Sequence, residues 1–480
     1  MAPPPLVVGF DLDLTLIDSR PGIGAVLEAL SVETGVAIDV ALVQSRLGPP
    51  LDVELALWFP ADDVPAMSDR FRELYPDLAI ESSPALPGAA EALASVRAAG
   101  GASVVVTAKY APNAQLHLDH LGLAVDSLEG WRWAEAKGEA LLEHGASVYV
   151  GDHPADMAGA RLAGAIAVGV TTGGSTAADL EAAGAEVVLD SLHAFPGWLD
   201  EHLLALRLAA LDAHLRSLGS VVVAFSGGAD SAFLLAAAVE ALGPFHVVAA
   251  TAVSDSLATG ELEQAQDFAR ELGVRHLAPR TYELARDGYR ANSADRCYFC
   301  KAELLDVLRP EADRLAIRAV ATGTNADDAL AGFRPGIRAA DERGAVTPLR
   351  DVGMTKAQIR EASRRWGLPT WDKPQAACLS SRVAYGIEVT PARLARVDRA
   401  EAALRAALDE ACIVVTDLRV RDLGNTARIE VDAAAVEDVL ADPSVAEAVR
   451  LAGFDHVEVD PRGFRSGSMN EALSPTPGLG

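Results

Sequence analysis

The chain predicts an α/β protein of several domains, and three observations carry that expectation. Strand and helix patterns alternate along all 480 residues, as in open sheets covered by helices. Residues 221–231 read Val-Val-Val-Ala-Phe-Ser-Gly-Gly-Ala-Asp-Ser, a β-branched apolar run that passes straight into a glycine turn and a helix start. Residues 7–13, Val-Val-Gly-Phe-Asp-Leu-Asp, show a similar buried run that ends in two carboxylates instead.

Length and composition bound what these elements can build. A chain of this size forms two to four domains, and 50% hydrophobic with 23% charged residues is ample for packed cores. The net charge is −27, unevenly spread: residues 1–200 hold 9 Lys and Arg against 28 Asp and Glu, and the remainder 32 against 40. Loose binding to RNA or DNA needs a basic footprint, so this balance argues against it. Four cysteines in this length do not make a disulfide framework, which points to a reducing cytoplasm. The start, Met-Ala-Pro-Pro-Pro, lacks a signal pattern, and no apolar run reaches the roughly 18 residues of a membrane span.

In the first segment, Val7–Phe10 reads as a buried strand ending in Asp11-Leu12-Asp13-Leu14-Thr15. Alternation puts Asp11 and Asp13 on one side of the strand end. Neighbouring carboxylates repel, and a divalent cation would stabilise them. A second strand, Ser103–Val106, ends in Thr107; Lys137 precedes a helix; a third strand, Val148–Val150, ends in Gly151-Asp152, with Asp156 four residues on. Three strand ends thus present Asp, Thr and Asp at the carboxyl edge, where open α/β sheets bind ligands.

These motifs resemble the haloacid dehalogenase (HAD) superfamily over about residues 5–192, within an expected domain of 1–192. The resemblance implies a Rossmann-like core with a helical cap at about 19–85, re-entering at Leu86-Pro87-Gly88. It implies Asp11 as the phosphoryl-accepting nucleophile and Asp13 as general acid and base. Thr107 and Lys137 would hold the phosphate oxygens. Asp152 and Asp156, with Asp11 and the neighbouring Asp13, would hold Mg2+.

His193-Ala-Phe-Pro-Gly197 looks like a boundary, followed by an Ala/Leu-rich helix at about Leu199–Leu218. In the loop beyond it, Gly227 and Gly228 let the backbone turn sharply and approach a ligand. Ser231 sits where the free N–H groups of a starting helix make an anion site. There is no Lys of the kind that holds outer phosphates for γ-transfer. Ser226, Gly227, Gly228, Asp230 and Ser231 resemble the S-G-G-x-D-S loop of ATP-pyrophosphatases, which split ATP between its α and β phosphates. Gly323-Thr324-Asn325 follows another apolar strand and would complete the nucleotide pocket.

Cys297-Tyr298-Phe299-Cys300-Lys301 is a C-x-x-C, and Cys378 lies in Ala377-Cys378-Leu379-Ser380-Ser381-Arg382. A redox pair, a zinc half-site and iron–sulfur ligation all use such spacing. No His or Cys lies close enough in sequence to complete a zinc site. Three thiolates suit a 4Fe–4S cluster with one open iron that could carry an extra sulfide. Cys412 fits a buried structural cysteine better.

Taken with Lys373–Gly386 and Gly463–Asn470, these motifs resemble the LarE family of ATP-dependent sulfur transferases. The expected architecture is a PP-loop (adenine nucleotide alpha hydrolase-like) domain over 199–386, a small α+β substrate- and phosphate-binding domain over 387–473, and a tail over 474–480. The resemblance implies adenylation of a carboxylate of pyridinium-3,5-biscarboxylate mononucleotide and its conversion to a thiocarboxylate, a step in making the nickel-pincer nucleotide. Lys301, Arg382, Arg419 and Arg421 match positions near the substrate phosphate and the reacting centre; Glu401 and Glu430 match acidic positions tied to metal binding or catalysis. ATP and Mg2+ are the implied cofactors and a small nucleotide the implied substrate. A homo-oligomer and other nickel-pincer enzymes are the partners to consider, with neither nucleic acid nor membrane. Members with a single sulfur-donating cysteine carry it at the position of Ala377 and lack the C-x-x-C, so this chain resembles the cluster-bearing type, with Cys297, Cys300 and Cys378 as ligands. Cys378 as a sacrificial sulfur donor stays open.

Two rivals come from other classes: a PP-loop enzyme that thiolates tRNA or forms an amide, and a HAD module kept only as a structural or regulatory part. The acidic balance opposes the first. The intact Asp11, Asp13, Lys137 and Asp152 oppose the second.

Overall fold

The computed structural model describes residues 5–330, 334–374 and 378–465. Contacts divide the chain into two compact units that meet in sequence between Leu203 and Leu204.

The first unit is built on a parallel sheet of six strands in the order β3-β2-β1-β4-β5-β6. The strands are β1 Val7–Phe10, β2 Ala102–Val106, β3 Ser127–Glu129, β4 Val148–Gly151, β5 Ile166–Val170 and β6 Val187–Leu189. Strand β1 lies between β2 and β4 with Phe10 opposite both Val105 and Val150, so three carboxyl ends converge. Its residues are buried on both faces, which is why they read as a continuous apolar run. Val8 and Phe10 pack on one side with Leu93, Leu118 and Phe195, and Val104, Val106, Leu141 and Tyr149 fill the other.

The cap is inserted directly after the first motif. Its helices are Arg20–Thr34, Val40–Ser45, Leu51–Leu55 and Val64–Leu78, closed around Val26, Leu27, Leu30, Phe71 and Tyr75. The chain leaves and returns at paired positions: Asp18 donates its N–H to Pro84 and Leu86 to Leu16, each at 2.9 Å.

The helix that starts the link to the second unit begins at Phe195, not near Leu199, and runs to Leu218 after a short turn at Leu192–Ala194. Pro196 is tolerated because the first-turn N–H groups of a helix have no partner inside it.

The second unit carries a four-stranded parallel sheet in the order β10-β7-β8-β9, formed by β7 Val221–Ala224, β8 Val247–Ala250, β9 Arg275–Leu277 and β10 Ala319–Thr322. Thr322 lies opposite Ala224, which brings the Ser226–Ser231 loop beside Gly323-Thr324-Asn325. A smaller sheet follows, with β11 Leu418–Asp422 antiparallel to β12 Thr426–Val431 and β12 parallel to β13 His456–Val459. The helix Pro391–Glu410 covers it through Leu394, Val397, Leu404 and Leu408, one stripe at helical spacing. Among the described residues no helix is long and apolar enough to cross a membrane.

Candidate active sites

At the carboxyl edge of the first sheet, Asp11, Asp152 and Asp156 are buried and offer carboxylate oxygens that all lie within 4.8 Å of one another. Lys137, from the first turn of the helix Glu135–Glu143, points among them: its Nζ is 2.7 Å from Asp11 Oδ1 and 2.5 Å from Asp156 Oδ1. Burial pushes the Asp11 carboxyl up to about 7, with Asp156 and Asp13 adding to it and Lys137 opposing. Burial and the Asp11 charge likewise raise Asp152, which also accepts a hydrogen bond from Thr15 Oγ1 at 3.2 Å. Two glycines make room for the cluster. A Cβ on Gly173 would fall 1.8 Å from Asp152 Oδ2, and one on Gly151 would fall 2.4 Å from Asp156 Oδ2.

Asp13 is placed differently. Its carboxylate is not part of the three-oxygen group but sits 2.9 Å from Lys109 Nζ. The Asp13 carboxylate, expected to share in metal binding, thus lies outside that group and is paired with Lys109. Burial works against the Asp13 anion, yet Lys109 and Ser19 hold its pKa below the usual value. Leu14, between Asp13 and Thr15, has a φ of +60°, the left-handed turn that folds the motif back so that Leu14 N–H reaches Ile17 at 2.8 Å. Thr107 is buried at the end of β2 and its Oγ1 accepts the Lys109 N–H at 3.2 Å.

Sequence reasoning missed Lys109 and what supports it. Lys109 Nζ also donates to Tyr75 Oη at 2.7 Å, and Tyr75 Oη meets His117 Nε2 at 2.9 Å. Burial, then the Lys109 charge, lowers His117 to about 4. A lysine two residues beyond a strand-end threonine was the one visible signal; Tyr75 comes from the cap, and nothing local announces it. Tyr149, whose Oη lies 2.9 Å from the Val106 carbonyl and 3.3 Å from Asp156 Oδ1, was hidden inside a strand. A cavity of about 540 Å3 opens between Asp11 and the cap, reaching Arg72, Tyr110, Trp131 and Trp133.

In the second unit, Gly227 adopts φ +72° and the helix Ala229–Leu242 starts at Gly228 without a side-chain cap. Its first N–H groups are thus open to an anion. Ser231 Oγ accepts the Ser226 N–H at 3.2 Å and lies 3.1 Å from Ser226 Oγ, so the loop is tied to the helix it precedes. Gly323 is needed for contact rather than for its torsion: a Cβ there would stand 2.9 Å from Ser231 N and 3.0 Å from Ser231 Cα. Thr324 Oγ1 is 3.1 Å from Thr322 Oγ1. Asp230 Oδ1 is buried with no hydrogen-bond partner among the described residues, and burial raises its pKa against the opposing charge of Lys356. Lys373, quoted from the motif without a role, brings its Nζ within 3.8 Å of where a Cβ on Gly227 would lie and pairs with Glu261 at 3.2 Å.

The helix Arg296–Arg314 carries the C-x-x-C in its first turn. Cys297 and Cys378 are exposed and Cys300 is half-buried. Burial raises the Cys300 thiol, and the charges of Cys378 and Cys297 add to that rise. The three cysteines therefore share one electrostatic neighbourhood, although no three of their sulfurs fall within 4.8 Å of one another. Lys301 stands beside them, and burial holds its ammonium below the ordinary lysine value. The segment after Cys378 is fastened by residues that sequence reasoning missed. Asn292 Nδ2 donates to the carbonyls of Ala384 and Ile387 at 2.8 and 2.9 Å, Arg296 donates to the Ser380 carbonyl at 2.8 Å, and Tyr289 Oη meets Ser380 Oγ at 2.5 Å. Cys412, expected to be buried, is exposed at φ +57°, because it falls in the turn that ends a helix. Ala377 and residues 466–470 of the last motif lie outside the described residues.

Arg382, Arg419, Arg421, Glu401 and Glu430 are all buried and come together. Arg382 Nε is 2.9 Å from Glu401 Oε1 and Arg421 Nη2 is 2.8 Å from Glu430 Oε2. Arg419 lies opposite Glu430 in the β11–β12 ladder, and burial with the like charge of Arg382 lowers its pKa. Arg382 also donates to the Cys378 carbonyl at 3.1 Å and Arg421 to the Ser381 carbonyl at 3.2 Å. These bonds place the arginine cluster beside the backbone of Cys378 and Ser381.

Comparison with known proteins finds relatives for both regions of the chain. The family model for haloacid dehalogenase-like hydrolases matches residues 8–161, and a related HAD-hydrolase-like model matches residues 129–195. The chain is 41% identical over 275 residues, 57% of its own length, to all of an uncharacterised protein of Synechocystis sp.. It is 34% identical over 272 residues, 56% of its length, to 96% of the pyridinium-3,5-bisthiocarboxylic acid mononucleotide synthase of Lactiplantibacillus plantarum. A phosphoglycolate phosphatase of Rhodospirillum rubrum is 30% identical over 220 residues, 41% of this chain and 91% of that one. Fold and sites thus define a two-part enzyme, a HAD-type phosphatase joined to a sulfur transferase. The chain belongs to the LarE family through its C-terminal region and to the haloacid dehalogenase-like hydrolases through its N-terminal region.

Proposed function

We propose that the second unit uses ATP to adenylate a carboxylate of pyridinium-3,5-biscarboxylate mononucleotide and then exchanges the adenylate for sulfur. A carboxylate oxygen would attack the α-phosphorus and pyrophosphate would leave; a sulfur nucleophile would then attack the acyl carbon and AMP would leave. The open N–H groups at Gly228–Ser231 would hold the phosphates, and Arg382, Arg419 and Arg421 the nucleotide phosphate of the acceptor. The observation that supports this reading is the join between Arg382 and Cys378: the residue paired with Glu401 also donates to the Cys378 backbone carbonyl at 3.1 Å, so the arginine cluster and the cysteine share one stretch of chain.

Cys297, Cys300 and Cys378 would hold a 4Fe–4S cluster. Three thiolates without a fourth ligand suit one, and thiolates at the corners of a cluster stand further apart than the ligands of a single ion. When bound, such a cluster would offer a replaceable sulfide. The enzyme would work in the reducing cytoplasm on small molecules.

The first unit would be a Mg2+-dependent phosphatase. Asp11, Asp152 and Asp156 fit a divalent cation, which when bound would offset charge on the phosphoryl group. Asp11 would attack phosphorus, Thr107 and Lys137 would hold the phosphoryl oxygens, and Asp13 would give a proton to the leaving oxygen and then take one from the attacking water.

Anaerobic protein incubated with ATP, Mg2+, sulfide and the dicarboxylated nucleotide should yield an oxygen-to-sulfur exchange by mass spectrometry, together with AMP. Formation of an amide in place of the thioacid would overturn the sulfur reading. Iron and sulfide assays decide the sulfur source: metal-free protein that turns over once and converts Cys378 to dehydroalanine would make Cys378 the donor.

A further inference from the structure

The cavity above Asp11 is larger and more aromatic than a two-carbon phosphate requires. Its volume of about 540 Å3 lies in the range that encloses drug-sized ligands. Away from the carboxylates its wall is built from flat groups. Tyr110 and Trp131 pack with ring centroids 5.0 Å apart at 31°, and the Arg72 guanidinium lies 5.9 and 5.7 Å from their centroids. Trp133 and His153 form a second pair at 5.3 Å.

The chain holds these rings at some cost. Trp131 has φ +56° and Ala134 φ +48°, positive-φ conformations that cost non-glycine residues about 1–3 kcal/mol each. Trp131 is nevertheless 64% exposed, so burial does not account for its placement. What does hold the segment is the phosphate end of the site: Trp131 N–H donates to the Lys109 carbonyl and Arg132 N–H to the Thr107 carbonyl, each at 2.9 Å. The rings are thereby set at a fixed offset from Thr107 and Asp11.

The charges on the cap side are already matched. Arg46 pairs with Glu54 at 2.7 Å and Arg72 with Asp52 at 3.2 Å, while Lys109 is taken by Asp13. A second carboxylate on a small substrate would find no surplus cation there. A neutral or cationic ring would find stacking faces and nearby carboxylates.

We propose that this pocket takes a phosphate monoester carrying a nitrogen-containing aromatic ring, that is, a nucleoside or pyridine mononucleotide, with the phosphate at Asp11 and the ring against Trp131 and Trp133. The inference rests on the phosphatase reading of the first unit and names its substrate class. It also fits the second unit's chemistry, which releases one such monophosphate as its leaving group.

The test uses the full chain with Mg2+ and compares kcat/KM for AMP, nicotinamide mononucleotide, ribose 5-phosphate, phosphoglycolate and acetyl phosphate, with Asp11→Asn as the background. The ring-bearing esters should exceed ribose 5-phosphate by tenfold or more. Trp131→Ala should cut that preference by tenfold or more, and Trp131→Phe should keep most of it. Ribose 5-phosphate or phosphoglycolate matching AMP, or a preference untouched by Trp131→Ala, would overturn the proposal while leaving the phosphatase intact. If nothing in the panel is hydrolysed, acetyl phosphate included, the phosphatase reading itself fails. Ring recognition is then judged by AMP quenching of tryptophan fluorescence: a quench that persists unchanged in Trp131→Ala overturns it, and one that is lost supports it.

Discussion

Lys137 Nζ sits 2.7 Å from Asp11 Oδ1 in the buried floor of the first site. The same ammonium also reaches Asp156 at 2.5 Å, so one cation lies between two carboxylates that would otherwise repel. Removing it should damage both chemistry and fold. Lys137→Met should lower phosphatase kcat by about 10²-fold or more, the scale of losing a positioned electrostatic contact. Denaturant unfolding of the first unit should show a loss of about 3–5 kcal/mol, as when a buried pair loses one partner. Lys137→Met with near-normal turnover would contradict its role.

Gly323 offers a cleaner separation of the two activities. Its Cβ would press on backbone atoms of Ser231 at 2.9 and 3.0 Å, and backbone cannot swing aside as a flexible side chain can. Gly323→Ala should displace the loop and reduce ATP–pyrophosphate exchange by at least about tenfold, since misplacement on the scale of 1 Å at a reacting site is costly. Phosphatase activity in the same preparation is the internal control for folding.

His117 should make the first unit acid-sensitive. Its ring is fully buried against Tyr75, with Lys109, Asp13 and His120 the charged or titratable groups around it, and its pKa is lowered to about 4. The unfolded chain takes up this proton near the usual value of about 6.5. Below that pH the unfolded state binds a proton the folded state refuses, so stability falls from pH 6.5 towards 4, by as much as ~3 kcal/mol. Unfolding midpoints of the wild type should decline over that window, and His117→Gln should flatten this part of the slope.

Arg382 and Glu401 should behave as a coupled pair. Both are buried, and Glu401 Oε1 also accepts the Val420 N–H at 3.1 Å. Arg382→Ala alone should destabilise the second unit by about 3–5 kcal/mol by leaving a buried charge uncompensated. Arg382→Met combined with Glu401→Leu should recover much of that stability while sulfur transfer stays abolished. Activity retained in the double variant would remove the pair from the site.

The strand-end motifs were legible because each is local. Asp11, Thr107 and Asp152 follow short apolar runs, and parallel β1, β2 and β4 bring those ends together. The same logic made Ser226–Ser231 readable at the end of β7. Lys109, Tyr75 and His117 were not legible, because their importance comes from a cap helix laid over the core, a contact 34 residues apart for Lys109 and Tyr75. Asn292 and Arg296 were missed for the same reason: the carbonyls they hold lie beyond residue 379, and nothing in the neighbouring sequence marks them.

By itself the sequence determined the motifs that carry the family resemblance: which residue types stand at strand ends, which loop turns on glycine, and which cysteines and arginines accompany them. These follow from periodicity and from the few residues able to occupy a tight turn or carry a charge. Tertiary structure alone decided the partnerships. It gave Asp13 to Lys109 rather than to the carboxylate cluster, set Lys137 between Asp11 and Asp156, and fastened Trp131 to the strand end that carries Thr107. Burial is the physical reason: removed from water, each charge must find its counter-charge within about 3 Å, and only the folded chain determines which one is in reach.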